Sequence, residues 1–166
     1  MDQREWLTAI EHAWLWDHMV PLRGDVTAPL HEGWTLLAAL AAQTERLRLG
    51  LMVTSNRLRP PTVLAKMAAT TDIISRGRLI LGIGVGGTRV NGQLQDHGAE
   101  NPAVREFQAY GIPLVTPGEG VAALAESCTI IRRMWTEGPF DFEGRHYQLK
   151  GRSASPSRSS GRTLRS

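Results

Sequence analysis

A single cysteine, Cys128, excludes an internal disulfide and fits a reducing cytoplasm; a small side chain buried in a helix is its expected state. No apolar run reaches the roughly 18 residues that span a bilayer, and the opening MDQREWLTAIEH is too polar for a signal peptide, so a soluble, cytoplasmic protein with no membrane partner is expected. An excess of positive charge is also missing from the body of the chain. The formal charge is +3, but residues 151–166 hold four arginines and no acid, which leaves 15 basic against 16 acidic residues before them. The body therefore carries no nucleic-acid signature, and no aromatic that could stack on a base lies beyond Tyr147. Cys/His zinc spacing, G-x-S-x-G and G-K-[ST] after a glycine run are absent too, so no metal site, serine hydrolase or P-loop is expected.

What is present is ordinary globular usage, 42% hydrophobic and 21% charged over 166 residues, enough for one compact core. The most informative stretch runs from Arg46 to Gly87. An aliphatic run, Arg46 to Val53, leads through a polar break to a helix that starts at Pro60-Pro61 and stops near Ser75 to Gly77. A second aliphatic run, Arg78 to Ile83, ends in Gly82-Ile83-Gly84-Val85-Gly86-Gly87. Together they read as a parallel β-α-β unit, and α/β proteins bind ligands at the carboxyl ends of such strands. Function is accordingly sought just after Val53 and just after Ile83.

Around this unit, residues 3–11 read as a helix, and Ala13 to Trp16 as a buried strand that ends on Asp17-His18. Met19 to His31 reads as a loop, and Glu32 to Thr44 as a Leu- and Ala-rich helix. Gly84 to Val115 loses periodicity apart from a short helix near Ala103 to Ala109, and loops of that length are usually functional or disordered. Pro117 to Trp135 gathers Val121, Leu124, Ile130, Ile131 and Met134 on one side of a helix. PFDFEGRHYQL, residues 139–149, alternates around Glu143-Gly144 as a β-hairpin. The last 16 residues, with six serines and four arginines, cannot bury enough apolar surface to fold. They are expected to be a disordered tail, and the abrupt change in composition fits a frame-shifted end.

The glycine run has the G-x-G-x-x-G spacing of a dinucleotide fingerprint, but TRVNGQLQDHG after it shows no apolar helical period, which argues against a Rossmann site. The glycines still expose backbone N–H groups at a strand end, where a flat ring or a phosphate could approach. His18 at the end of the first strand could exchange a proton with a bound ring if a carboxylate or carbonyl held it in one tautomer.

Trp14 to His18, Glu32 to Ala41, RLRLGLMVTSN, LAKMAATTDIIS, GRLILGIGVGG and AYGIPL resemble successive blocks of the luciferase-like superfamily, over about residues 5–150. Within it the chain resembles oxidoreductases that use coenzyme F420 or FMN. The resemblance implies an α/β fold, a (β/α)8 TIM barrel with parallel strands, here partial and incomplete because such barrels take about 250 residues. With the tail set apart by its composition at 151–166, it implies residues 1–150 as the barrel domain, with a strand before Met1 and four more strand-helix units after Leu149 in the family.

The resemblance further implies His18 and Asp17 as catalytic residues. Val53, Thr54, Ser55 and Asn56 correspond to the third strand's end, where the family often has a bulged or cis peptide behind the ring, and Gly84, Val85, Gly86 and Gly87 to the loop that passes the cofactor. Glu106 resembles a later family acid. Thr88-Arg89 stands where some F420 dehydrogenases have glutamate, a departure that weighs against acid-assisted oxidation of sugar phosphates or alcohols. The implied activity is hydride transfer between F420 and a small organic substrate, or monooxygenation if FMN is the cofactor, with a homodimer as an expected assembly. A catalytically silent barrel fragment is the competing expectation, because a half barrel leaves sheet edges unpaired.

Overall fold

The computed structural model describes residues 10–25, 27–87 and 102–151. Residues 3–9 of the helix expected over 3–11, 88–101 of the loop expected over 84–115 and 152–166 of the tail lie outside the described residues, and Ile10 and Glu11 are not helical. Chain order is β1 (His12–Leu15), α1 (Gly33–Gln43), β2 (Arg48–Leu51), β3 (Thr54–Ser55), α2 (Pro61–Ile74), β4 (Leu79–Ile80), β5 (Ile83–Gly84), α3 (Pro102–Ala109), α4 (Pro117–Thr136), β6 (Phe142–Glu143) and β7 (Gln148–Leu149). β2 is the central strand, parallel to β1 on one side and to β4 on the other. β3 and β5 are also parallel, with Thr54 beside Ile83 and Ser55 beside Gly84. The described parallel strands alternating with helices are consistent with part of the barrel that the resemblance implies.

Each aliphatic run forms one short strand, β2 or β4, and a second short strand, β3 or β5, follows at or just past its end. The Met52–Val53 peptide is cis, and the ladder resumes beyond it with Thr54 N–H donating to Gly82 O at 2.8 Å and Asn56 N–H to Gly84 O at 2.9 Å. β3 and β5 thus form their own two-stranded parallel ladder just beyond β2 and β4 in the chain.

Helix boundaries follow local chemistry. Glu32 caps α1, its carboxylate accepting from Trp34 N at 3.0 Å and Thr35 N at 2.7 Å. Pro61 takes the first turn of α2, where its missing N–H has no intrahelical partner to lose. Thr116 and Glu119 form a reciprocal capping box that starts α4. At the opposite end of the sheet, the Arg78 guanidinium donates to the carbonyls of Ala41 and Thr44 at the end of α1, and to that of Leu47 just before β2.

The core lies between the sheet and one layer of helices. Leu49 and Leu51 of β2 and Leu79 of β4 meet Trp34, Leu37 and Ala41 of α1, Leu64, Ala65 and Ala68 of α2, and Ile131 of α4. The alanines let α4 come close to α2, and Trp135 Nε1 donates to Ala65 O at 3.0 Å. On the other face of β2, Gly50 faces the Trp14 ring. A Cβ there would stand 2.4 Å from Trp14 Cζ3 and 2.7 Å from Ile80 O, so only glycine fits.

Two expectations for α4 are corrected. Its buried side is Gly120, Ala123, Ser127, Ile130 and Ile131, spaced three to four residues apart. Cys128 falls one step around the helix from Ser127 and is exposed, as is Val121. The hairpin forms, but its turn spans Gly144 to Tyr147 instead of centring on Glu143-Gly144.

Candidate active site

The carboxyl ends of β1, β3 and β5 form one rim, and α3 comes back across it. His18, residues 53–56 and the glycine run are brought to this rim together. The organising contacts are two buried carboxylates, one on each side of the β1 end.

Asp17 is 4% exposed and both of its oxygens are engaged. Oδ2 accepts from Ser55 N–H at 2.8 Å and from Arg59 Nη1 at 2.7 Å, and Oδ1 accepts from Arg59 Nη2 at 2.9 Å. Arg59 Nη2 also donates to Glu32 at 3.1 Å, so one guanidinium ties the β1 end, the α1 start and the β3–α2 loop together. The bidentate fork suits a planar guanidinium. Asp17 is thus placed as a brace for residues 55–59.

The second carboxylate is Glu106 on α3, 1% exposed. Its Oε2 lies 2.9 Å from His18 Nδ1, and Oε1 accepts the backbone N–H of Met19. Beside it on α3, the buried Phe107 ring lies against Gly87, a Cβ on which would sit 3.2 Å away. One short helix therefore supplies both the partner of His18 and the support under the glycine run.

The hydrogen bond from His18, with those from Met19 and Val20, holds the Glu106 carboxyl below its ordinary 4.5 although burial pushes the other way. In turn the bond to Glu106 raises His18 above its ordinary 6.5 against its partial desolvation, with Asp17 adding to the rise. An ionised Glu106 accepts only, so Nδ1 carries a proton and Nε2 is the position at which His18 gains or loses one.

The sign of the linkage follows from these directions. The raised His18 contributes stability that is fully present below 6.5 and is lost as pH rises through its folded value. The lowered Glu106 contributes stability present above 4.5 and lost as pH falls through its folded value. The pair therefore contributes most between about 4.5 and 6.5. Glu106→Gln is expected to remove that maximum from the pH–stability profile and to lower the His18 pKa, because burial then acts without the carboxylate. Titration of the imidazole resonances by NMR checks this, and an unchanged His18 pKa would contradict it.

The remaining rim residues differ in exposure. Val53 is 48% exposed, whereas Thr54, Ser55 and Asn56 are buried. Gly84, Val85 and Gly87 are half-buried and Gly86 is exposed. Gly86 has φ +85°, and a Cβ there would stand 2.4 Å from Ser55 Oγ, so the two loops touch only because that side chain is absent. Among the described residues, Thr54 Oγ1 and Asn56 Oδ1 are buried without a hydrogen-bond partner. The exposed Val53 side chain beside a glycine loop suits the face of a flat ring.

Residues 7–162 match the family described as luciferase-like monooxygenase. The chain belongs to that family. A relative from Amycolatopsis mediterranei named F420-dependent glucose-6-phosphate dehydrogenase is 33% identical over 147 residues, which cover 84% of this chain and 38% of the relative. Among solved structures, an F420-dependent secondary alcohol dehydrogenase in complex with an F420-acetone adduct superposes over 95% of this chain and 43% of its own, with TM-score 0.74 and 19% identity. The FMN-bound oxygenating constituent of 3,6-diketocamphane monooxygenase from Pseudomonas putida superposes over 93% and 40%, with TM-score 0.65 and 22% identity. The luciferase-like family fold is thereby shown, and the chain spans less than half the length of these proteins. These relatives and neighbours are named as dehydrogenases and a monooxygenase, and no described helix of this chain is long and apolar enough to cross a membrane.

Two site residues were missed from the sequence as such. Arg59 sits in a run of basic and proline residues with no periodic signal. Glu106 was noticed only through the resemblance, since nothing local ties it to a histidine 88 residues away.

Proposed function

We propose that this chain carries the cofactor side of an F420-dependent oxidoreductase acting on a small organic substrate. The observation that carries the reading is the His18 imidazole, held by buried Glu106 at the strand-end rim beside residues 53–56 and 84–87. Relatives named for F420 at 33–34% identity favour that cofactor over FMN.

When bound, F420 supplies a carbon in its deazaflavin ring that accepts or returns a hydride. Val53 would offer apolar surface to the ring and residues 84–87 a close backbone approach, while buried Thr54 and Asn56 would hold that strand end through their bonds to Gly82 and Gly84. His18 would hold or release a proton at Nε2 while Glu106 keeps Nδ1 protonated and the ring oriented. Asp17 would act through Ser55 and Arg59 by fixing the loop that the cofactor meets. The chain's activity in isolation, a homodimer and a cytoplasmic location belong to the same reading.

Fluorescence titration of the purified chain with F420 and with FMN tests it. Saturable binding is expected, weakened about tenfold or more by Gly86→Ala, whose new Cβ would drive Ser55 and Arg57 away from the loop. Absence of binding by either compound would favour the silent-fragment reading instead.

A further inference from the structure

The hairpin outside the sheet is wired to the site through one carboxylate. Glu126 on α4 accepts three consecutive backbone N–H groups, from Arg145 at 2.8 Å, His146 at 3.0 Å and Tyr147 at 3.1 Å. A Cβ on Gly144 would lie 2.2 Å from Glu126 Oε2, so the carboxylate enters the turn only because that residue is glycine. Against the desolvation that pushes it up, these donors, with His146 nearby, hold the Glu126 carboxyl below its ordinary value, so it is ionised at neutral pH.

The turn seated in this way carries the Tyr147 phenol to the strand end. Asn56 Nδ2 donates to the Tyr147 hydroxyl at 3.4 Å, across 91 residues of sequence. The Asn56 backbone N–H is itself spent on Gly84 O, while Oδ1 is buried and without a partner among the described residues. Glu126, the turn, Tyr147, Asn56 and Gly84 thus form one hydrogen-bonded series.

We propose that Glu126 is a positioning residue for the cofactor site: by seating the 144–147 turn it holds Tyr147 on Asn56 and fixes the orientation of the Asn56 amide. Asn56 is 2% exposed, so its side chain acts on a ligand through the strand end it anchors beside Gly84 and not by direct contact. The inference rests on the reading of residues 53–56 and 84–87 as cofactor contacts.

The test compares Glu126→Ala, Tyr147→Phe and the double variant in the full chain, reading the Asn56 side-chain amide by 15N–1H NMR and the Kd for FMN and F420 by fluorescence. Tyr147→Phe keeps the ring and removes only the hydroxyl, so it remains informative if Glu126→Ala folds poorly. Both single variants are expected to displace the Asn56 amide pair in the same direction and to weaken binding about 2- to 10-fold, the effect of one hydrogen bond. The double variant is expected to be no weaker than Glu126→Ala, because the two residues act in series. Displacement confined to the amides of 144–147, with Asn56 and both Kd values unchanged, would overturn the proposal, as would additive effects. If wild type binds neither compound, the cofactor reading fails, and the Asn56 resonances still decide whether Glu126 positions that side chain.

Discussion

Arg59→Met is expected to lower the unfolding free energy by about 3–5 kcal/mol, the range for removing one partner of a buried ion pair. Arg59 is 9% exposed and the Asp17 side chain 1%, so water cannot take over the charge that the guanidinium leaves. Asp17 would keep a single donor, the Ser55 N–H. The arm to Glu32 counts for less, because that carboxylate is 31% exposed and already has the α1 amides. Methionine preserves the aliphatic stem, which confines the loss to the charge and its hydrogen bonds. Urea unfolding measures the effect, and Asp17→Asn in the Arg59→Met background is expected to recover part of it by removing the stranded charge. A loss below about 1 kcal/mol would mean that the pair behaves like an exposed one.

Gly50→Val is expected to cost about 1–3 kcal/mol or more through overpacking. β2 is bonded on both sides, to β1 and to β4, so its backbone cannot retreat from the Trp14 ring or from Ile80 O. Relief would require Trp14 to leave its place beside His12, whose ring stacks on it at 6.4 Å between centroids. Near-UV circular dichroism of the tryptophans together with thermal unfolding reads both parts of the effect. Wild-type stability with an unchanged tryptophan signal would show that the ring does not lie over Gly50.

The β-α-β unit was legible because its signals are local. Aliphatic runs, prolines at 60–61 and the Ser75–Gly77 stop each act within a few residues, and the observed α2 boundaries follow them closely. Cys128 was misjudged for the opposite reason. Whether it faces in or out depends on which side of α4 meets α2, and that is set by Ile130, Ile131 and Ser127 jointly. The rim could be placed from strand ends alone, yet its chemistry could not. His18 finds Glu106, Asp17 finds Arg59, and Asn56 finds Tyr147 across 88, 42 and 91 residues, distances over which a single sequence carries no pairing signal. The resemblance supplied positions for His18, residues 53–56 and the glycines, whereas the partners that hold them emerge only from packing.

The central claim is that the carboxyl ends of β1, β3 and β5 act as one site. It is tested most directly by titrating 15N-labelled chain with F420, and separately with FMN, while following backbone amide and imidazole resonances. The account predicts that Ser55, Asn56, Gly84, Gly86 and the His18 ring shift together along one saturable curve, while Arg78 and Leu79 at the opposite strand ends stay in place. Shifts concentrated at those opposite ends, or a His18 ring that ignores a ligand which moves Gly84 and Gly86, would contradict it.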